Sequence, residues 1–517
     1  MIAGGAISGG ILRSLALAVG VAAMVSIGCD FASAADYAAG GGVVNAPSGF
    51  ATAVGSSAST LGTSASAFGA GATAFGSGAT AVGATNIASG ASATAIGSSS
   101  NANGTNATAI GANSFALGAN ASATGQNSRA NGGSATAIGW NSTATGLNAT
   151  ATGSNNFAIG DNATATGAAS SANGLNATAT GQHSLATGED ATATGVNSSA
   201  VGTFATATGS GSTATGDRAT ATGVGSAATG ANATATGVNG TATGENATAT
   251  GANSSAVGDA ATASGALSTA NGTNATATGT FSNATGEFAT ATGSNSTATG
   301  ANATAAGESS TATGTSATAM GQRSLANGAT ASAYGQNSVA NGDATTAIGQ
   351  GSRAMAAGAT AIGQGAVALG MNSIAIGSGS VATLANTVSF GTAGNERRLT
   401  NVAAGINPTD AVNVSQLSGL TSGLQSQFTG LQAEVTNNQR EARSGTALAL
   451  AATGLQYDQR PGKASIATAV ANYKGQSGIA VGLGYAVSDR WRVNAAFTTA
   501  PQVNDYGVVA GASFTLN

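Results

Sequence analysis

Between residues 55 and 391, apolar and polar positions alternate one for one inside units that repeat every seven residues. The stretch VNGTATGENATATG, residues 238–251, shows the rule: alanine in one phase, mostly Thr in the other, glycine at the close. In other units Val, Ile or Phe takes the place of Thr, as at Phe75, Ile96, Ile110, Ile138 and Val201. Glycine occupies every seventh position from Gly55 to Gly349, 43 in an unbroken series, and the residue two before each is alanine except at Thr60. After a slip at Ala356 the series resumes at Gly363, Gly370, Gly377 and Gly391. A period of seven also suits a coiled coil, but Gly, Asn, Ser and Thr are poor helix formers and no Leu or Ile seam runs through these units. Strict alternation predicts instead a strand of about five residues in each unit. Glycine followed by Asn, Asp or Ser predicts a turn, because those residues tolerate left-handed backbone angles.

Two strands and two turns make a 14-residue coil, and sevens of the NATATG type alternate with SSAVG or STATG types between about residues 148 and 321. The 24 coils between Gly55 and Gly391, stacked at the strand spacing of about 4.8 Å, predict a parallel β-roll about 115 Å long. Alanine at nearly every second position requires one strand face to be packed so closely that only a methyl fits, inside the coil or against a neighbouring chain. The other face carries Ile, Val, Leu or Phe in the early and late coils and mostly Thr between residues 143 and 315.

Past the roll the pattern changes twice. Leu417 and, one heptad on, Leu424, Phe428, Leu431, Val435, Asn438 and Ala442 follow alternating spacings of four and three, the seam of a coiled coil. Asn438 is a polar residue on that seam, suited to setting register or, with its amide donors, to holding an anion. Small residues follow over 444–456, and then four segments, 463–474, 477–487, 491–499 and 505–516, each near the nine to eleven residues of a tilted membrane strand. In the second, Ile479, Val481, Leu483, Tyr485 and Val487 share a face suited to lipid, while Gly478, Ala480, Gly482, Gly484 and Ala486 share one suited to a tight lumen. Four strands cannot close a barrel, and open edges are not tolerated in hydrocarbon. Three copies supply twelve strands, and the small lumen residues leave room for three helices from about residues 431 to 457.

At the start of the chain, Arg13 precedes an apolar run over 15–28 and Ala32-Ser33-Ala34 supplies small residues, predicting an export signal cleaved near Ala34 or Ala35. The run is shorter than the roughly 20 residues of a spanning helix. Cys29 lies within this signal, so the mature chain carries no cysteine and no disulfide.

Composition narrows the function. Of 517 residues 81 are glycine, only 6% are charged, and there is one His, so the vocabulary of catalysis and metal binding is nearly absent. No enzyme, cofactor or metal site is expected: His183 stands alone, and acids such as Glu189, Asp190 and Glu245 are scattered at turns. The roll, with four basic against ten acidic residues, is a poor partner for nucleic acid.

Residues 395–417, NERRLTNVAAGINPTDAVNVSQL, resemble the neck of the trimeric autotransporter adhesins, the YadA-like family, whose wording runs R-x-[IL]-x-N-V-A-x-G-x-x-x-x-D-A-V-N-x-x-Q-L. Arg397 or Arg398, Asn401, Val402, Gly405, Asp410, Ala411, Val412, Asn413, Gln416 and Leu417 fit it. The resemblance covers essentially the whole mature chain. It implies a mainly β protein: a trimeric left-handed parallel β-roll head of 14-residue coils, a short coiled-coil stalk and a C-terminal 12-stranded trimeric β-barrel with four strands per chain. The corresponding organisation is signal peptide 1–35, head 36–393, neck 394–417, stalk and pore helix 418–457 and anchor 458–517. Many relatives end in an aromatic residue read by the outer-membrane assembly machinery, whereas this chain ends Phe514-Thr515-Leu516-Asn517.

The function implied is a homotrimeric adhesin at the outer membrane and cell surface of a Gram-negative bacterium, exported through its own barrel in contact with lipid. Its ligands are host cells, extracellular matrix, other surfaces or other bacteria, with no head residue identifiable as the contact. The alternative is an ice- or surface-structuring solenoid, since regularly spaced Thr-x-Thr on a flat β-face can order water.

Overall fold

The computed structural model describes residues 36–46 and 49–516. The predicted export signal, 1–35, lies outside the described residues. The chain divides into two compact units, with the boundary between Arg397 and Arg398.

The first unit is a parallel solenoid in which every strand pairs with the strand one coil on; Thr150 lies opposite Thr164 and Ala158 opposite Ala172, a step of 14 residues. The strands are shorter than the five residues expected. They alternate between three residues, as Thr150–Thr152, and two, as Phe157–Ala158, because the turns take up most of each seven. Three-residue strands form one sheet of 26 strands, here the wide sheet, and two-residue strands form the narrow sheet. Ladder bonds continue through the corners: Thr150 N donates to Ala163 O at 2.8 Å and Asn155 N to Trp140 O at 2.9 Å.

The alanines face inward. Ala149, Ala151, Ala158 and their counterparts along the solenoid are all fully buried within a single chain. At these positions methyls fill the space between the two sheets, and each one removed from water contributes about 0.8 kcal/mol. Thr60, the exception in the alanine series, is also fully buried, with its hydroxyl unpartnered. At the start of the narrow strands the buried residue is usually Ser, whose Oγ donates to the carbonyl of the glycine three before it, as Ser184 to Gly181 at 3.0 Å. Asn86 and Asn156 replace Ser there; Asn156 donates to Gly167 O at 2.7 Å and accepts from Ser170 N at 3.0 Å.

The glycines fall into two sets that the sequence does not separate. In the turn from wide to narrow sheet, Gly139-Trp140-Asn141-Ser142, the glycine has φ of +122°, and its counterparts from Gly55 to Gly377 range from +106° to +139°. In the return turn, Gly146-Leu147-Asn148-Ala149, the glycine keeps an ordinary negative-side φ. In both turns the left-handed residue is the second after the glycine, near +55°, whether it is Asn148, Arg218, His183 or Phe288. The break at Ala356 is not a slip: Ala356 occupies a return-turn glycine position, and Arg353 and Ala354 stay in register with Val367 and Ala368.

The second unit holds a helix, Val414–Thr453, and an antiparallel meander of Ala464–Tyr473, Gln476–Ala486, Trp491–Ala500 and Asp505–Phe514, each strand paired with the next. The helix stops at Thr453, capped by Gly454, earlier than the stretch to 457 assigned to a pore helix. Its last turns lie on the meander, burying Ser444, Ala447, Leu448 and Ala451, residues spaced along one helical face.

Candidate functional site

No convergent set of catalytic groups exists among the described residues, and no group of three His, Cys, Asp or Glu could hold a metal. The scattered acids of the solenoid have local work. Asp161, Asp217, Asp259 and Asp343 each follow a return-turn glycine and accept from a backbone N–H one coil earlier, those of Leu147, Thr203, Glu245 and Ala329, at 2.8–3.0 Å. His183 is an exposed corner residue. What remains are surfaces.

On the wide sheet the outward positions form two columns. One, from Thr52 to Thr360, is Thr or Ser in every coil. The other is apolar at both ends, with Val54, Phe68, Ile96 and Ile110 at one and Tyr334, Ile348 and Ile362 at the other, and is almost entirely Thr from Thr152 to Thr292. No charged or amide side chain occurs in either column between Thr52 and Ile376. The narrow sheet differs: its outward positions include Arg129, Arg353, Asn101, Asn173 and Asn283 among apolar residues.

The neck residues meet in one knot around the helix start. Asn413 caps the helix: its Oδ1 accepts from Gln416 N at 3.0 Å, its backbone N donates to Gln416 Oε1 at 3.3 Å, and its Nδ2 donates to Val402 O at 3.1 Å. This reciprocal capping box satisfies two free helix-end donors. Asp410 Oδ2 accepts from Ile406 N and Asn407 N, both at 2.9 Å, which holds its carboxyl below the usual carboxylate range. Asn401 takes a left-handed φ of +61°. Gly405 has no room for a side chain, since a Cβ there would lie 2.9 Å from Ala411 O. Val412 and Leu417 contribute no such bond and are 70% and 58% exposed.

Of the two candidate arginines, Arg397 docks onto the end of the solenoid, its Nη1 donating to Ser380 Oγ at 2.7 Å and Phe390 O at 2.8 Å. Arg398 is exposed. Only geometry separates these neighbours, which are identical in sequence.

From Leu417 to Ala442 every helix residue is exposed, including Leu424, Phe428, Leu431, Val435 and Asn438. A helix with that apolar seam and with Gly419, Gly423 and Gly430 in it lacks the packing that stabilises helices, so the seam is a surface awaiting partners. No described helix is long and apolar enough to cross a membrane, which says nothing of crossing with strands. On the meander, Ile479, Val481, Leu483, Tyr485 and Val487 are exposed, while Ala480 and Ala486 on the opposite face are buried. Gly478 lies against the helix, where a Cβ would come within 2.6 Å of Ala447 C, and Gly484 lies against the Tyr457 ring.

Comparison with known proteins follows the same divisions. The YadA head domain repeat matches in overlapping copies between residues 61 and 392, the coiled stalk of trimeric autotransporter adhesin matches 398–440, and the YadA-like membrane anchor domain matches 456–516. Autotransporter adhesin BtaF of Brucella suis is 42% identical over 105 residues, 20% of this chain and 34% of that protein. BtaE of the same organism is 33% identical, over 23% of this chain and 19% of that protein, and NhhA of Neisseria meningitidis is 35% identical, over 16% and 13%. The chain thus spans about a third or less of the length of these curated relatives. The crystal structure of the collagen-binding domain of the Yersinia adhesin YadA is 32% identical, covering 35% of this chain and 84% of that one with a TM-score of 0.24. With head repeats, stalk and anchor matched in order over most of its length, the chain belongs to the YadA-like trimeric autotransporter adhesins.

Proposed function

We infer that the chain acts as a homotrimeric surface adhesin that is exported through a barrel built from three of its own meanders. The observation that carries this reading is the meander. Its four strands leave two unpaired edges, its apolar side chains face outward, and its small-residue face is covered by the end of its own helix and by Leu455 and Tyr457 beyond it. Open edges are excluded from hydrocarbon, and three such sheets close at twelve strands. The exposed seam from Leu417 to Ala442 supports the same stoichiometry through a coiled coil, with Asn438 facing its mates and setting register or holding an anion.

In this trimer the wide sheet faces the threefold axis, because its outward columns lack charge over their whole length and are apolar at both ends. The narrow sheet is then the displayed surface that meets host cells, matrix or other bacteria. Many weak contacts repeated along three copies give avidity without a pocket. The test is to express the full chain on a non-adherent bacterium and measure attachment to collagen, fibronectin, epithelial cells and plastic. Attachment to none of these, with the chain displayed as trimer, sinks the adhesive part of the reading; a chain recovered only as monomer after gentle extraction sinks the barrel.

The paired Thr rows of the wide sheet, Thr150 and Thr152 through Thr290 and Thr292, favour the second reading, a water-ordering array. It requires that sheet to be open to solvent, and thermal hysteresis by the displayed solenoid would distinguish it.

A further inference from the structure

Several corner residues are apolar, bulky and about half exposed; Phe281 has Leu267 beside it one coil earlier, but others stand among polar residues. Phe281 and Phe288 both hold left-handed backbone angles, φ +58° and +54°, which a large side chain adopts only against its preference. They are 56% and 51% exposed. Along its own corner Phe288 stands between Asn274 and Asn302, so its own chain offers the ring no apolar neighbour there. Yet the two rings belong to the same coil, Phe281 in the wide-to-narrow turn and Phe288 in the return turn, on opposite edges. The coincidence recurs at Trp140 and Leu147, 50% and 52% exposed on opposite edges of one coil. It recurs in polar form at His183 and at Asp190, whose Oδ1 also accepts from Asn176 Nδ2 one coil earlier at 3.0 Å.

Resting on the trimer reading with the wide sheet on the axis, geometry brings these edges together. A strip of five residues is about 16 Å wide at 3.3 Å per residue, and three such strips closed into a triangle lie about 5 Å from the axis, half the 10 Å spacing of packed sheets. Closure by three therefore fills the interior with side chains and makes neighbouring strips meet at their edges. Under cyclic symmetry such contacts are head to tail, so the wide-to-narrow turn of one copy meets the return turn of the next.

We propose that the subunits are joined along three corner seams in which Phe281 packs against the partner's Phe288, Trp140 against the partner's Leu147, and His183 donates to the partner's Asp190. These seams lock the solenoids together across the Thr-lined middle of the wide sheet, where the axis itself has few apolar contacts. The corner residues that stand out in a single chain are thus a self-recognition code rather than ligand contacts.

The test uses the full chain with F281C, F288C, the double variant, and T292C on the wide-sheet face, treated with mild oxidant or a short bis-maleimide. The proposal expects covalent trimers from the double variant and none from F281C or F288C alone, because each seam holds one residue of each kind. Within one chain the two positions are separated by a strand's width, beyond the reach of a disulfide. T292C cross-linking without cross-linking of the double variant overturns the seams while leaving the trimer reading intact. Absence of any trimer in the unmodified chain overturns both. A second variant, F281N/F288N, places at both corners the residue that corners carry most often, so the coils keep their fold. The seams predict a lower temperature of trimer dissociation in detergent, and an unchanged or higher one overturns them.

Discussion

The carboxamide of Gln416 clasps the backbone of Gly405 from both sides, accepting from Gly405 N at 2.9 Å and donating to Gly405 O at 2.9 Å. The same Oε1 also accepts from Asn413 N, so one side chain ties the loop to the helix start. Gln416→Ala removes all three bonds and should cost about 1–2 kcal/mol. Gln416→Glu keeps the acceptor and loses the donor, and should cost less. Hydrogen exchange over residues 401–417 reads both, with faster exchange at Gly405 expected in the alanine variant; equal protection in variant and parent would refute the clasp.

Acid should open the same knot at a second point. The Asp410 carboxylate is held below its ordinary pKa by the N–H groups of Asn407 and Ile406. A folded-state value below the unfolded value of about 3.9 means that the stabilisation is fully present well above that unfolded value and is lost progressively as pH falls from it through the lowered folded value. Exchange at Ile406 and Asn407 should therefore accelerate only in acid. Asp410→Asn should show weakened protection at neutral pH and no further acid step.

Much of this was legible in the sequence because periodicity is a backbone property written in side chains. The 14-residue coil, the alanines as a packing rule and the four meander segments all follow from alternation and small residues. What was hidden depends on facts that one letter does not carry. Gly139 and Gly146 look alike, but one has positive φ and the other does not, because only the turn leaving the wide sheet needs that bend. The acids that seemed scattered, such as Asp161, cap turn N–H groups one coil earlier, a relation visible only once coils stack. The face of the alanines needed the structure too, since a methyl-sized gap fits inside a coil as well as between chains.

The fit between helix and meander yields a third prediction. Gly478 faces the backbone of Ala447, with space for nothing larger than hydrogen. Gly478→Leu should expel the helix from the small-residue face while leaving the outward apolar face unchanged. Surface display measured by protease accessibility of the solenoid should fall several-fold, and normal display would show that the helix need not lie there.

The two glycine sets give the sharpest test of the solenoid. Gly363 has φ of +126°, and a Cβ built on it lies 2.6 Å from Gly377 C. Gly342 belongs to the return-turn set, whose next three positions along the corner are Ala356, Gly370 and Leu384. Natural side chains at Ala356 and Leu384 demonstrate that the return turn can yield enough to admit a Cβ. At Gly363 the backbone angle itself disfavours any L side chain, whatever the neighbouring coil does. Gly363→Ala should therefore lose about 1–3 kcal/mol more than Gly342→Ala, the cost of holding an alanine in a positive-φ region. Thermal unfolding and protease nicking near the substituted coil measure the difference. Equal losses would mean that crowding by the next coil, and not the backbone angle, is what keeps glycine at these corners.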